Sequence, residues 1–443
     1  MTAELDLQHL FLDLYQLTMS QSYWRTNPNK EATFELYFRS LPKDRNYLVI
    51  HGIERALKIV SNLSFDDESI QSLKDLRKFD ESFLNYLSGI RFTGNAWTMS
   101  DGDIAFAGEP VFQIKAPIIQ GQLLETVLIN TVNLRTLLAT KCSRVVHAAR
   151  GKPVVDFGAR RAHGIEAGEA LSEASYLAGF SGTATVSGGI GRDIPLVGTM
   201  AHSYIMSFES ELDAFRAYAK EFPSECTLLV DTYDTLTGIE NAVRVGKEME
   251  SVGERLKAIR LDSGDFLTHA TNARAAFEKA ALSYVNILAS GGLDEYEIDR
   301  LERESAPIDG YGVGTKVSVS SDAPWSESVY KMVEIDGIPV FKSSEDKRSL
   351  PHQKSVHRLN GTDGLFAYDT ITASGTDSDS PNGRSMLRNR FLNGERVIEP
   401  VSIQSSRNHH ISEIACLPDK YKNIHKDMPY PVKTLLPDQT YPL

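Results

Sequence analysis

The sequence predicts an α/β fold: a closed or nearly closed (β/α) barrel flanked by an α/β domain that is built partly from both chain ends. Between about residues 150 and 340, one pattern recurs, in which a short β-branched run is followed by small or polar residues and then by a helical pattern. The sequence on either side lacks this repeat and contains strand-like runs instead, among them an alternating one. Repeated βα units favour a parallel sheet, and the alternating run favours antiparallel pairing in the flanking domain.

Seven runs read as parallel strands, mostly spaced by about one βα unit. Six or seven such units in series favour a closed or nearly closed barrel over an open sheet. The helix 207-SFESELDAFRAYAKEF-222 illustrates the intervening pattern, because Ser207 is an expected N-cap and the apolar residues up to Phe222 share one face. The runs are 153-PVVDFG-158, 183-TATVSGG-189, 195-PLVGTMAH-202, 226-CTLLVDTYD-234, 258-AIRLDSGD-265, 285-VNILASGG-292 and 308-IDGYGVGTKV-317.

The flanking domain begins with a helical pattern, 10-LFLDLYQLTMSQSYW-24, and alternates like paired antiparallel strands over residues 101–118. After about residue 345 the chain is rich in turn-forming residues, with strand patterns near 365–372 and 396–403. The predicted division is residues 1–135 for the first part of the α/β domain, 136–345 for the barrel and 346–443 for the segment that completes the α/β domain.

Composition excludes several classes of protein. The chain of 443 residues has a formal net charge of -12, which argues against a nucleic-acid-binding surface. No apolar run is long enough to span a membrane, and acidic residues near the start do not suit a signal peptide, so we expect a cytoplasmic protein with no membrane partner. Cys142, Cys226 and Cys416 are far apart and fit neither a disulfide framework nor a zinc site.

Polar and charged residues collect where the predicted strands end, which is where barrels of this kind carry their chemistry. The mixture of acids, bases and glycines suits a phosphorylated, anionic ligand held by local donors and metal. These residues are Asp156, Phe157, Gly158, Arg160, Gly198, Thr199, His202, Asp231, Asp234, Arg260, Asp262, Ser263, Ser290, Gly291, Gly292, Gly312, Gly314 and Thr315.

Each of these features has a plain structural alternative. The glycine pairs are either tight turns or phosphate loops. Arg260 and Asp262, two apart on one strand face, form either a structural salt bridge or a clamp for a phosphorylated sugar. His202, among small neighbours, is either a satisfied structural histidine or a group with room for a phosphoryl beside it. Arg160, close to Phe157, is either solvated or positioned to hold a planar acid.

Taken together, these residues resemble the nicotinate phosphoribosyltransferases, and the resemblance rests on many blocks in order from residue 12 to about residue 340. A later block, 347-KRSLPHQKSVHR-358, is similar to the family's Lys- and Pro-containing segment but departs from it in detail. The matching blocks are 12-LDLYQLTMSQSYW-24, 157-FGARRAHG-164, 179-GFSGTATV-186, 198-GTMAHSYIMSF-208, 230-VDTYDT-235, 259-IRLDSGD-265, 289-ASGGLDE-295, 312-GVGT-315 and 331-KMVEIDGIP-339.

The resemblance implies a type II phosphoribosyltransferase, with an irregular (β/α) barrel and an α/β domain built from both chain ends. It would work as a homodimer with a shared active site. Its partners would be nicotinate, 5-phosphoribosyl 1-pyrophosphate and ATP. The reaction it implies gives nicotinate mononucleotide and pyrophosphate with Mg²⁺, as a step of NAD salvage, and needs no prosthetic group. ATP hydrolysis would be coupled through a phosphorylated histidine, to which His202 corresponds, with Asp231 orienting the ring.

The resemblance also implies roles for the remaining residues. Arg260 and Asp262 would hold the ribosyl pyrophosphate, and Thr199 would be a further substrate-binding residue. Nicotinate would stack on Phe157 with its carboxylate on Arg160. Tyr15 of the partner subunit would cover the other face of the pyridine ring, and Asp231 and Asp262 would be candidates for the metal. The 5-phosphate would be held by Ser290, Gly291, Gly292, Gly312, Gly314 and Thr315.

Ala184 bears on the choice between acid and amide. Related nicotinamide enzymes carry an aspartate at this position, which accepts from an amide and repels a carboxylate, so an alanine favours nicotinate. The alternatives are a nicotinamide enzyme or a quinolinate phosphoribosyltransferase, the latter needing a basic cluster for two carboxylates and having no use for ATP. A barrel that binds a sugar phosphate without turnover is the alternative of another class.

Overall fold

The computed structural model describes residues 7–27, 30–342, 350–375 and 383–437 of the chain. The chain divides into two compact units: unit 1 comprises Met1–Leu137 and Trp325–Leu443, and unit 2 comprises Leu138–Pro324. The first three residues of the sequence block 347–358, residues 347–349, lie outside the described residues.

The strands are short in unit 2 and longer in unit 1. They are β1 (Glu31–Phe38), β2 (Leu48–Val49), β3 (Asn95–Thr98), β4 (Ile104–Ala105), β5 (Pro110–Pro117), β6 (Val154–Asp156), β7 (Gly182–Thr183), β8 (Thr227–Leu229), β9 (Ala258–Leu261), β10 (Asn286–Ser290), β11 (Gly310–Val313), β12 (Ser328–Ile335), β13 (Ile338–Pro339), β14 (Lys354–Asn360), β15 (Phe366–Ala373), β16 (Arg384–Ser385), β17 (Arg388–Leu392), β18 (Glu395–Arg396) and β19 (Val432–Leu435).

The helices connect these strands. They are α1 (Leu14–Thr26), α2 (Ile53–Ser61), α3 (Asp67–Asp75), α4 (Glu81–Ser88), α5 (Ile118–Leu123), α6 (Glu125–Ala148), α7 (Ile165–Ala178), α8 (Val186–Gly189), α9 (His202–Met206), α10 (Glu211–Glu221), α11 (Thr235–Ser251), α12 (Phe266–Lys279), α13 (Glu295–Arg303), α14 (Thr315–Ser318), α15 (Ile403–Cys416) and α16 (Asp419–Lys422).

Unit 1 is built around a seven-stranded sheet in the order β13-β12-β1-β5-β3-β17-β18, in which every pair is antiparallel. Its centre draws on both chain ends, because β1 pairs with β12 on one side and β5 on the other. The core beneath it is apolar, with Leu36, Phe112 and Ile114 fully buried. The prediction of an α/β domain assembled from both ends of the chain is therefore confirmed.

A second sheet of unit 1, ordered β16-β14-β15-β19, carries buried charges. Arg358 on β14 is fully buried and donates to Asp369 on β15, with Nη2 2.6 Å from Oδ2. Arg384 donates to both carboxylate oxygens of Glu413 on α15 at 2.6 Å, which ties that helix to the sheet. Pairing and bidentate hydrogen bonds are what make such burial tolerable.

Unit 2 contains a six-stranded parallel sheet in the order β7-β6-β11-β10-β9-β8. Along the chain, α11, α12 and α13 each connect one strand to the next, which is the βα pattern predicted from the sequence. The strands are buried almost continuously, as expected of a parallel sheet covered on both faces; Leu228, Ile259 and Ile287 are fully buried. Within the described residues, no ladder joins β7 to β8, so the barrel is irregular.

Three local predictions were wrong. The run 195–202 forms only a single bridge between Thr183 and Leu196, not a strand. Helix α10 has its N-cap at Ser210 rather than Ser207, because the Ser210 hydroxyl accepts from the Asp213 N–H at 3.2 Å, and Phe222 is exposed. The pattern at 396–403 yields only the end of β18 before α15 starts at Ile403.

The predicted boundary near residue 345 differs from the division in the structure. Unit 2 ends at Pro324, and the residues that follow belong to unit 1. The physical reason is strand pairing: β12 lies in register with β1, with Ala32 opposite Ile335 and Tyr37 opposite Val329. The block 331-KMVEIDGIP-339 is thus part of the flanking domain.

Candidate active site

The six parallel strands of unit 2 bring their carboxyl ends to one edge of the sheet, and the predicted site residues follow those ends. Strand register sets the neighbours, since Asp156 on β6 is level with Val313 on β11 and with Thr183 on β7. The residues at or just after the ends are Phe157, Ala184, Asp231, Asp262, Ser290, Gly291 and Gly314.

Asp231 and Asp262 are fixed by donors from neighbouring strand ends. Asp231 Oδ2 accepts from the Asp262 N–H at 2.9 Å and from the Ser263 hydroxyl at 2.6 Å. Asp262 Oδ1 in turn accepts from the Ser290 hydroxyl at 2.5 Å. Four of the residues predicted at strand ends, Asp231, Asp262, Ser263 and Ser290, are therefore brought together in one network, in which hydroxyls and a backbone N–H hold the carboxylates.

His202 is the first residue of α9, and its side chain is 40% exposed. Its Nδ1 lies 3.1 Å from Thr232 Oγ1, and its Nε2 lies 3.8 Å from Asp262 Oδ2. The imidazole hydrogen bond is thus to Thr232, and not to Asp231 as the resemblance implied. Asp231 instead accepts hydrogen bonds from the Asp262 N–H and the Ser263 hydroxyl through Oδ2.

Arg260 points toward the same edge from β9. It donates to the Thr199 hydroxyl, lies 3.8 Å from Asp262 Oδ1, and has its guanidinium carbon 5.8 Å from the centre of the Phe157 ring. Burial, with a smaller contribution from the charge of Arg160, lowers its pKa, although a guanidinium stays protonated at physiological pH. Its buried Nε has no hydrogen-bond partner among the described residues, so this cation has donor capacity left for an anionic ligand.

Phe157 is positioned by a buried carboxylate beneath it. Asp156 accepts from the Gly158 N–H and from the Thr183 hydroxyl, both at 2.7 Å. Burial raises the pKa of Asp156 and these hydrogen bonds oppose that rise. The turn that carries Phe157 is therefore anchored to the end of β7, where the Ala184 N–H donates to the Asp156 carbonyl at 2.9 Å.

Two of the predicted phosphate-loop glycines are explained by packing. A Cβ on Gly312 would lie 2.5 Å from Phe157 Cε2, so this glycine makes room for the aromatic ring. A Cβ on Gly291 would lie 2.0 Å from the Asp262 carbonyl oxygen, and its φ is +90°. Gly292, in contrast, has φ +67° with open space around the missing Cβ, and Gly314 precedes Thr315 at the start of α14.

The predicted acid-binding side chains are accessible. Arg160 lies in the 3-10 turn Ala159–Arg161 that follows Phe157, and it is exposed, as is Ala184. Asp234, by contrast, serves as a helix cap, because its carboxylate accepts from the Thr237 N–H at 2.8 Å at the start of α11. Its pKa is lowered by the hydrogen bonds from Thr237.

Sequence reasoning missed two contributors to this site. Thr232 lies at hydrogen-bond distance from the imidazole of His202, and the Thr183 hydroxyl donates to the Asp156 carboxylate. The signal for Thr232 was present, because it directly follows a predicted aspartate at a strand end. Their partners lie on other strands, and only the register shows which hydroxyl meets which group.

The donor set fits a hydrated divalent cation. Asp231 is 9% exposed, and its Oδ1 is buried without any hydrogen-bond partner among the residues that the structure describes. A buried carboxylate oxygen with no donor is costly unless a ligand satisfies it. Carboxylate oxygens are the protein ligands that Mg²⁺ prefers, often through water.

Comparison with known proteins shows which family the chain belongs to. The nicotinate phosphoribosyltransferase N-terminal domain model matches residues 10–133, and the nicotinate phosphoribosyltransferase family model matches residues 153–394. The chain belongs to the nicotinate phosphoribosyltransferase family. Nicotinate and 5-phosphoribosyl 1-pyrophosphate are the substrates that follow from this family, and the reaction is a step of NAD salvage.

Individual members of the family are similar over most of the chain. Nicotinate phosphoribosyltransferase pncB2 of Mycobacterium tuberculosis is 40% identical over 94% of this chain and 89% of its own length. The nicotinate phosphoribosyltransferase of Bacillus subtilis is 39% identical over 80% of this chain and 74% of its own length.

Solved structures agree on the fold. Human nicotinic acid phosphoribosyltransferase superposes with a TM-score of 0.84 at 26% identity, covering 96% of this chain and 97% of its own. Nicotinate-nucleotide pyrophosphorylase of Pyrococcus furiosus gives 0.76 at 23% identity, covering 93% and 97%, and so indicates the fold alone. The predicted architecture, an irregular barrel with a flanking α/β domain, is confirmed.

Tyr15, the family residue predicted to reach a partner's site, lies in unit 1 on a well-anchored helix. The Asp13 N–H donates to Gln16 Oε1 at 2.7 Å, and Gln16 donates to the Gln122 carbonyl at 2.6 Å. Burial and the nearby Glu125 carboxylate raise the pKa of Tyr15 to about 12, so its hydroxyl stays protonated. The side chain is 45% exposed.

None of the described helices combines the length and apolar character needed to cross a membrane.

Proposed function

We propose that this chain transfers the phosphoribosyl group of 5-phosphoribosyl 1-pyrophosphate to nicotinate and couples the transfer to ATP through a transient phosphohistidine at His202. The observation that carries the proposal is the position of that imidazole. It stands partly exposed at the carboxyl edge of the sheet, with Nε2 facing Asp262 and beyond hydrogen-bond distance from it. Family membership gives the substrates, and the partly exposed imidazole supports the proposed coupling to ATP.

Transfer at the anomeric carbon would pass through a state with oxocarbenium character, for which positioning and charge matter more than covalent help. Arg260, with its unsatisfied Nε, would bind the pyrophosphate that leaves. Asp262, on the same strand end, would hold the ribosyl hydroxyls or a metal-bound water. Gly292, Gly314 and Thr315 are the residues we assign to the 5-phosphate.

Nicotinate would stack on Phe157, whose ring is fixed by the anchored turn and by the cleared space at Gly312. Its carboxylate would meet Arg160, and the absence of a side-chain acid at Ala184 would leave that carboxylate unopposed. The supporting observation is the hydrogen bond from the Ala184 N–H to the Asp156 carbonyl, which sets this residue beside the Phe157 turn.

His202 would attack the γ-phosphate of ATP and carry the phosphoryl group during the cycle. The added negative charge beside Arg260 and the carboxylates would strengthen the hold on Mg²⁺ and pyrophosphate, which favours nucleotide formation. Small neighbours make this possible, because Gly198 has nothing within 4 Å of where a Cβ would lie, and Ala201 is exposed.

Mg²⁺ would be held by Asp231 through its unpartnered Oδ1, with Asp262 as the second carboxylate. The ion would neutralise charge on pyrophosphate and on the phosphates of ATP. Asp231 and Asp262 themselves orient the loop, since the hydrogen bond from the Asp262 N–H to Asp231 fixes one carboxylate relative to the other.

A homodimer would complete the site through Tyr15 of the partner subunit. Exposed apolar residues on α1 and just before it support such a contact, since Phe11 is 49% and Leu14 48% exposed. Mixing inactive Tyr15→Ala subunits with inactive Arg260→Ala subunits should restore about a quarter of the wild-type rate if the dimers exchange. No restoration in exchanged dimers would contradict a shared site.

The reaction is tested by incubating the protein with nicotinate, 5-phosphoribosyl 1-pyrophosphate and Mg²⁺, with and without ATP, and measuring nicotinate mononucleotide and ADP together. ATP-stimulated nucleotide with matching ADP is the expected result. Nucleotide formation without ADP would remove the coupling, and carbon dioxide release from quinolinate would support the quinolinate alternative. Ligand binding without turnover of any of these acids would favour the non-catalytic barrel.

A further inference from the structure

The two loops of the proposed 5-phosphate site are neighbours, because they follow neighbouring parallel strands. β10 and β11 are paired in register, with Ser290 opposite Gly312. Gly292 follows β10 and Thr315 follows β11, and both residues are exposed. The charges that act on a phosphate at these loops therefore include those on the two segments into which the loops lead, the start of α13 and the start of α14.

An acidic side chain occupies the start of α13. Asp294 is the N-cap of this helix, and its Oδ1 accepts from the N–H groups of Tyr296 at 3.1 Å and Glu297 at 2.9 Å. It is buried, with 9% of its surface exposed. Two of the N–H groups that an anion could use at this helix terminus are thus already bonded to a carboxylate. A phosphate at Gly292, two residues earlier, would meet a negative charge.

Lys316 directly follows Thr315 and contacts this carboxylate. Its Nζ lies 2.7 Å from Asp294 Oδ2, the oxygen that takes no part in capping the helix. Burial raises the pKa of Asp294, but hydrogen bonds from Lys316 and from the Glu297 N–H outweigh this effect, and the pKa is lowered. The carboxylate is therefore ionised, and it is bonded to a lysine whose side chain is 41% exposed.

The next residue along the chain anchors the same helix end to α6. Glu295 is fully buried, and its carboxylate lies 2.5 Å from Lys141 Nζ and 3.0 Å from Arg144 Nε. The position of Asp294 is therefore fixed independently of Lys316. Removal of the lysine should leave the Asp294 carboxylate in place, without the cation that contacts it.

We infer that Lys316 is a positioning residue for 5-phosphoribosyl 1-pyrophosphate, which offsets the charge of Asp294 and so allows the two glycine loops to accept the 5-phosphate. This inference rests on the proposed 5-phosphate site and adds the ion pair that makes an acidic helix cap compatible with it. Repulsion between like charges is screened less at a partly buried site than in bulk water. The lysine thus acts through the aspartate, and the aspartate weakens binding only when the lysine is absent.

The test is a double-mutant cycle measured as affinity. The dissociation constant of 5-phosphoribosyl 1-pyrophosphate with Mg²⁺ is determined by calorimetry for wild type, Lys316→Met, Asp294→Asn and the double variant. Asparagine is as good an N-cap as aspartate, so Asp294→Asn removes the charge and keeps α13 capped. Lys247→Met, which breaks an ion pair with Glu250 on the surface of α11, is the control and should bind as wild type.

Lys316→Met should weaken this affinity about 10-fold, whereas Asp294→Asn should bind within about 2-fold of wild type or more tightly. The double variant should recover to within about 3-fold of wild type, because the repelling charge is gone. The KM for nicotinate should change by less than about 2-fold in every variant, since its ring binds elsewhere. Lys316→Arg, which keeps the charge, should bind as wild type.

Two results would overturn the inference while leaving the proposed function intact. Unchanged affinity in Lys316→Met would show that the phosphate does not depend on the lysine. Equal weakening in Lys316→Met, Asp294→Asn and the double variant would show that the contact only ties the two loops together. Denaturant unfolding checks that each variant is folded, and Lys316→Gln replaces Lys316→Met if the methionine variant is not.

The proposed function can fail separately, because affinity is measured without turnover. If wild type binds 5-phosphoribosyl 1-pyrophosphate and the cycle shows the predicted recovery, but no nucleotide forms from nicotinate, the proposed transfer is wrong and the inference stands. If wild type does not bind 5-phosphoribosyl 1-pyrophosphate, the proposed function and the inference are both wrong.

Discussion

At the scale of single residues, the site combines two acidic side chains with one arginine, and none of the three is fully paired by the others. The carboxylates of Asp231 and Asp262 are held by hydroxyls and by a backbone N–H, and Arg260 stays 3.8 Å from Asp262 rather than closing into a tight pair. An arginine whose N–H groups were all paired with carboxylates would have fewer donors left for a pyrophosphate. The consequence is a cation and two acids that keep capacity for ligands, which is the arrangement a phosphoribosyl transfer requires.

Ala184→Asp tests the choice of substrate at this scale. A carboxylate introduced beside the Phe157 turn would repel nicotinate, and a repulsion of roughly 1–4 kcal/mol at about 4 Å corresponds to a loss of kcat/KM for nicotinate on the order of 100-fold. The ratio of nicotinamide to nicotinate turnover should rise. Ala184→Asn is the matched control without charge, and an equal loss in both variants would indicate a steric effect.

Asp231→Asn tests the assigned metal ligand. The amide keeps an acceptor for the Asp262 N–H and removes the charge at the unpartnered oxygen, so the Mg²⁺ concentration for half-maximal rate should rise about 10-fold. Asp234→Asn is the control, because that side chain caps α11. The rate of nucleotide synthesis is measured as a function of Mg²⁺ concentration in each variant. An unchanged half-maximal Mg²⁺ concentration in Asp231→Asn would contradict the assignment of Asp231 as a metal ligand.

At the scale of elements, the parallel strands of unit 2 form a frame whose carboxyl ends lie at one edge of the sheet. The short turns that follow the strands orient the side chains of the site. The turn after β6 is fastened to β7 by the Thr183 hydroxyl and lies against β11 at Gly312. Three neighbouring strands thus determine the position of one aromatic ring. The site residues come from loops, while the precision comes from the register beneath them.

Gly312→Ala should disturb this frame by displacing the Phe157 ring, while every substrate-binding side chain keeps its identity. The new methyl would meet the Phe157 ring at 2.5 Å, so we expect a loss of about 1–3 kcal/mol in the free energy of unfolding and a raised KM for nicotinate. Gly198→Ala, where nothing lies within 4 Å of the added carbon, should change stability by less than about 0.5 kcal/mol. Denaturant unfolding measures both, and equal stability in the two variants would refute the packing role.

Much of this architecture follows from sequence patterns, because a parallel strand and its polar C-terminal turn are local signals. Asp231, Asp262 and Ser290 were predicted at strand ends, and the structure joins them in one network. The partner of His202 could not be predicted, since it depends on where two strand ends meet. Gly312 was assigned to phosphate because a contact with Phe157 across more than 150 residues leaves no local trace.

At the scale of the whole molecule, unit 1 joins distant parts of the chain and buries ionisable groups between them. Glu109 is fully buried near Asp369, Arg358 and Tyr430; its Oε2 accepts from the Phe106 N–H at 2.9 Å and its Oε1 has no partner among the described residues. Burial first, and then the charge of Asp369, raise the pKa of Glu109 well above its ordinary value. The stability of this unit is therefore coupled to pH.

Glu109→Gln isolates that coupling. A carboxyl with a raised pKa in the folded state contributes stability below its ordinary pKa, near 4.3, and loses it as the pH rises through the folded value. Glutamine cannot ionise, so the variant should gain roughly 1–3 kcal/mol relative to wild type between pH 5 and pH 8. The free energies of unfolding of wild type and Glu109→Gln, compared at pH 5 and pH 8, measure this gain. Glu395→Gln, at an exposed position, is the control. A constant difference would contradict the pH coupling.

The central claim, that His202 couples ATP to nucleotide synthesis, is tested most directly by His202→Ala. Nicotinate mononucleotide and ADP are measured with and without ATP in wild type, in His202→Ala and in the exposed control His425→Ala. We predict that His202→Ala keeps slow ATP-independent synthesis, forms no phosphoenzyme and shows no ATP stimulation, while the control behaves as wild type. ATP stimulation in His202→Ala with matching ADP would contradict the account.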